Sequence, residues 1–82
     1  MRDLLRYYLE AWGCAKVSVP GVDLAVATFA GGVAVAELGV SEPEKFTSLE
    51  SALRGFVWND TALGDLLARL DCKVEPPDET GD

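Results

Sequence analysis

Apolar positions fall in two different rhythms along this chain. Leu4, Leu5, Leu9 and Trp12, with Tyr8, recur at helical spacing, while Arg2, Arg6 and Glu10 take the other side. This predicts an amphipathic helix over residues 2–12, closed by Gly13. Residues 15–19 then alternate: Ala15, Val17 and Val19 on one side, Lys16 and Ser18 on the other. Pro20-Gly21 reads as a turn. From Val22 to Val40 the chain is almost uncharged apart from Asp23 and Glu37, and Gly31-Gly32 divides it into two strands. Helical spacing returns with Leu49, Ala52, Leu53, Phe56 and Val57, and again with Leu63, Leu66, Leu67 and Leu70.

The expected fold is α+β. An N-terminal helix precedes a three-stranded antiparallel sheet (15–19, 23–30, 33–40), and two C-terminal helices (48–57, 61–71) pack on it. Ser41 to Phe46 carries a capping box with proline and predicts one helical turn. Thr47 with Glu50 repeats that signature, and Asn59 or Asp60 is the expected cap of the last helix. Gly64 weakens that helix by about 1 kcal/mol relative to alanine, which predicts loose attachment. Residues 72–75 have room for a short strand. Residues 1–75 form one domain, and 76–82 an acidic, disordered tail.

A Gly-Gly primed turn in the hairpin would set Ala30 opposite Val33. One face then holds Leu24, Val26, Thr28, Val33, Val35 and Glu37. The other holds Asp23, Ala25, Ala27, Phe29, Ala34, Ala36, Leu38 and Val40. A three-residue loop with a bulge would instead bring Asp23 and Glu37 to one face. In the first register each otherwise apolar face carries one carboxylate; in the second, one face is almost wholly apolar. Either way, 82 residues offer little material to cover both faces. One face is therefore expected to await a partner.

Charge narrows the partner class. The net charge is −7, but Glu75, Asp78, Glu79 and Asp82 follow the last expected helix, leaving ten acidic against seven basic residues before them. The basic residues are scattered, so direct nucleic-acid binding is not expected. No apolar run approaches the ~20 residues of a membrane helix. The N-terminus lacks a signal-peptide core, and the cytoplasm of a cell or infected host is the expected location. Cys14 and Cys72 read as free thiols.

Chemistry is sparse. Without histidine, the commonest general base and every Ser/His or Cys/His pairing are missing. Neither a phosphate-binding loop nor a metal-ligand cluster is present, and no cofactor is expected. The stretches PGVDLAV and VAVAELGV, in helix–strand–strand–strand–helix order, resemble the core of the PD-(D/E)xK nucleases. That resemblance implies a divalent-ion site at Asp23 and Glu37; Gly39 stands where the family's lysine would be. The same order echoes the double-stranded RNA-binding domain. Here the corresponding helix begins SEPEKFTSLES, whose glutamates would repel phosphate.

The leading expectation is a small acidic, non-enzymatic interaction protein that binds and inhibits another protein. A basic nucleic-acid-binding surface is the partner it suits. Small phage-encoded inhibitors, the anti-CRISPR proteins among them, are similar in size and charge, an analogy of class and not of motif. Glu42, Glu44, Asp60 and Asp65 are the candidate partner-binding residues, with Trp58 as an apolar anchor. A structural subunit forming a homodimer through the hairpin face is the alternative. A degenerate nuclease fold without activity is the third.

Overall fold

The computed structural model describes residues 2–39 and 42–76. Helix α1 (Arg2–Trp12) buries Leu5 and Leu9 and ends where the Gly13 N–H donates to the Leu9 carbonyl at 2.8 Å. Strands β1 (Cys14–Val19), β2 (Val22–Phe29) and β3 (Gly32–Glu37) follow as an antiparallel meander. Among the described residues the sheet has five strands, the expected three and two more, one of them in the 72–75 segment that had room for a strand. β4 (Glu44–Phe46) adds to the free edge of β3, and β7 (Lys73–Glu75) adds to β1, giving the order β4-β3-β2-β1-β7.

β4 replaces the helical turn expected up to Phe46. The capping-box residues are a local preference, whereas β3 offers a row of unpaired backbone groups that template the pairing of another strand. Pairing also sets Phe46 beside Val33, packed against the core. Ser41 lies outside the described residues.

The hairpin turn is Ala30-Gly31 rather than Gly31-Gly32. Phe29 faces Gly32 and Leu24 faces Glu37, a slide of two residues from the expected pairing. Because side chains alternate with period two, an even slide leaves every described residue on its expected face; Val40 lies outside the described residues. The reason lies at Gly32. It holds φ at 144°, and a Cβ there would overlap the Phe46 carbonyl oxygen. The second glycine thus serves the approach of β4, not the turn.

Helix α2 (Leu49–Gly55) is shorter than expected. Ser48 is its N-cap, accepting a hydrogen bond from the Ser51 N–H at 3.1 Å. Glu50 pairs across to α1 instead of closing a box on Thr47. The expected helix over 61–71 becomes two pieces. β5 (Val57–Trp58) and β6 (Thr61–Ala62) form a small hairpin whose turn residues Asn59 and Asp60 sit at φ 53° and 62°. Positive φ at both central positions is the type I′ turn, so neither residue caps a helix. Helix α3 (Leu63–Leu67) starts from Ala62 with no side-chain cap and buries Leu63, Leu66 and Leu67. Leu70 falls beyond it, at 105% relative exposure.

Gly64 does not loosen α3. It is buried, and a Cβ there would lie 3.3 Å from the Leu53 carbonyl oxygen and 2.8 Å from the Arg2 guanidinium. Its missing side chain lets α3 seat against α2 and the start of α1.

Every helix packs on one side of the sheet. That face buries Ala15, Val17, Leu24, Val26, Val35 and Val74. The expected acidic tail begins at Pro76, which has no regular structure; residues 77–82 lie outside the described residues.

Candidate protein-binding surface

No element among the described residues covers the opposite face of the sheet. Antiparallel partners point the same way, so the register places Cys14, Ala27, Ala34 and Lys45 in one row and Glu75, Lys16, Ala25 and Ala36 in the next. Ser18 lies between Lys73 and Asp23 in a third. The four alanines form a shallow floor over β2 and β3, half-buried only by their neighbours. Phe29 stands at one end, 42% exposed. Leu38 stands at the other, 52% exposed, its N–H donating to the Asp23 carbonyl at 2.9 Å. Lys45 rises beside the floor with its Nζ 5.8 Å from the Phe29 ring centroid, within cation–π range.

All three lysines of the chain are on this face, at Lys16, Lys45 and Lys73. All four arginines, Arg2, Arg6, Arg54 and Arg69, are on the helical side. The lysines do not read as a group in the sequence because they are far apart in it. The alternation of Lys73 with Val74, like that of Lys16 with Val17, is the signal that places them opposite the core.

The acidic candidates lie on separate elements. Glu42 precedes β4 and Glu44 lies on it; Asp60 is in the β5–β6 turn, and Asp65 is on α3. All four are exposed, and none is in an ion pair among the described residues. Trp58 is half-buried against the core edge, its Cη2 lying 3.0 Å from where a Cβ on Gly21 would sit. It braces the β1–β2 turn.

Asp23 and Glu37 point to opposite faces, because Glu37 sits across from Leu24 and not from Asp23. They meet only at the rim of a shallow depression at the sheet end, shared with Val19, Gly21, Val22 and Leu38. The nuclease resemblance requires both carboxylates on one face, and the register denies it. Among the described residues no three histidine, cysteine or acidic side chains converge on a point.

The ion pairs among the described residues are Arg6–Glu50 and Arg69–Asp71, each 2.8 Å. The first ties α1 to α2. The Arg6 hydrogen bond and charge hold the Glu50 carboxyl below its ordinary range. Cys14 and Cys72 are free thiols; Cys14 lies at the margin of the open face, whereas Cys72 is buried and its thiol is pushed up by that burial. No helix among the described residues is long and apolar enough to cross a membrane.

No family model, curated protein or solved structure gives a match to this chain.

Proposed function

We propose that this chain is a non-enzymatic interaction module that binds another protein through the open face of its sheet. One observation carries the reading: every helix lies on one side, and the other side presents alanines, Phe29 and Leu38 to solvent. A half-covered antiparallel sheet usually turns polar side chains to water. Here the central residues of the uncovered side are apolar, as at a surface that is covered in a complex. The lack of histidine supports a binding role over an acid–base enzyme. Inhibition follows wherever the captured surface has other work to do. The two free thiols favour the cytoplasm as its compartment.

The face, rather than the scattered acidic residues, is the proposed site, and a paired variant separates the two. Ala27→Arg with Ala34→Arg crowds the floor; Glu42→Gln, Glu44→Gln, Asp60→Asn and Asp65→Asn together neutralise the acids. A partner captured from a lysate of the source organism is expected to be lost with the first set and kept with the second. The reverse result moves the site to the acidic residues and sinks the sheet-face reading.

A further inference from the structure

We infer that the open face receives an amphipathic α-helix of another protein whose apolar stripe is bordered by acidic residues on both sides. The inference rests on the open face being the binding surface, and it names the partner's chemistry.

Width comes first. The alanine floor spans β2 and β3, with Lys45 on β4 along one side and Lys16 on β1, backed by Lys73 on β7, along the other. β4 and β1 are three strand spacings apart, about 14 Å at about 4.8 Å each. A helix with its side chains is about 10–12 Å across, so one helix fills the space between the lysines. Length agrees. From Phe29 to Asp23 the floor runs about 20 Å at about 3.4 Å per residue, which is about 13 residues of helix at about 1.5 Å each. Small floor residues admit the bulky side chains of an incoming apolar stripe, and Phe29 and Leu38 close its ends.

The alternatives fit less well. An extended peptide joins a sheet at its edge, where backbone groups are free. Across β1, β2 and β3 those groups are spent on the ladder. A second copy of this chain sets like charge on like. A two-fold axis along the strands lays the Lys45 side of one copy on the Lys16 and Lys73 side of the other. An axis across the strands lays each side on itself. The face carries Lys16, Lys45 and Lys73 against Asp23 and Glu75, while the remainder of the described chain has an excess of acid. An acid-bordered helix is complementary on both sides and completes a helix–sheet–helix sandwich.

The test uses the full chain and two synthetic 16-residue helical peptides with one leucine stripe. One has glutamates on both borders of the stripe, the other lysines. The glutamate peptide is expected to bind by calorimetry and to shift the amide resonances of Ala25, Ala27, Ala34 and Ala36. Lys16→Glu with Lys45→Glu should weaken it at least tenfold and should reverse the preference toward the lysine peptide. Equal binding to wild type and double variant overturns the inference, as does failure of the glutamate peptide to bind. Shifts at the four alanines from the lysine peptide alone, or a concentration-dependent dimer through that face, also overturn the acidic helix. Both of those results leave the open face standing as the binding surface. Shifts confined to the helical side would remove the surface itself.

Discussion

Leu24 and Ala25 are neighbours on β2 with opposite surroundings. Leu24 is fully buried beneath the helices, while Ala25 looks out from a face that no element among the described residues covers. The backbone ladder is the same for both. The difference teaches that one sheet carries its core on one side and an uncovered, proposed binding face on the other, alternating residue by residue. The core side uses branched aliphatics, whose burial stabilises at about 25 cal/mol per Å². The open side uses alanine and lysine, which give the fold little and leave room for another surface.

The comparison breaks most readily at the core. Leu24→Ala should lower unfolding stability by about 3 kcal/mol, within the range for a fully buried leucine. Ala25→Thr, one residue away, should change it by less than about 0.5 kcal/mol. Urea denaturation of both variants reads the contrast. A loss at Ala25 comparable to that at Leu24 would mean that the outer face is already packed.

Gly32→Ala is the next largest effect. Its positive φ and the Phe46 carbonyl both oppose a Cβ, and a loss of about 2 kcal/mol is expected. Amide exchange should show β4 released before the rest of the sheet. Uniform exchange across all five strands would contradict that placement of the strain.

Asp60→Gly works in the other direction. Asp60 sits at φ 62° in the type I′ turn, where glycine is the better residue. A gain of about 0.5–1 kcal/mol is expected, a rise in Tm of a few degrees. A helix beginning at Asp60 would instead be weakened by losing its cap, so the sign of the change separates hairpin from helix start.

The Arg6–Glu50 pair should have the smallest effect, since both side chains are more than half exposed and solvent screens them. Glu50 has a folded pKa below its ordinary 4.5. Its contribution is therefore fully present above the unfolded carboxyl range and is lost as the pH falls through the folded value. Carboxyl titration by NMR should show Glu50 depressed, and Arg6→Gln should return it to the ordinary range. An unshifted Glu50 in the wild type would mean that α1 and α2 are not bridged in solution.

Much of the candidate surface was legible because strand alternation is a local code. The face assignments of Leu24, Val26, Val33 and Val35, and of the four alanines opposite, follow from period two and from an even slide in register. The lysines were not legible as a group. Lys45 belongs to a segment whose local signals favour a helical turn, and its strand conformation comes from pairing with the edge of β3. Asn59 and Asp60 misled similarly: both residue types suit a helix cap and a left-handed turn, and only the pairing of Val57 with Ala62 chooses between them.

By itself the sequence determined the α+β class, the position of α1, the meander β1–β2–β3 and the two sides of each of its strands. These depend on hydrophobic period and turn residues, which neighbouring positions supply. The tertiary structure alone decided the strand at β4, the place of β4 and β7 at the two sheet edges, the hairpin register and the gathering of Lys16, Lys45 and Lys73 around one alanine floor. Each of these depends on which unpaired edge or which missing Cβ meets another part of the chain, and those meetings occur between residues far apart in sequence.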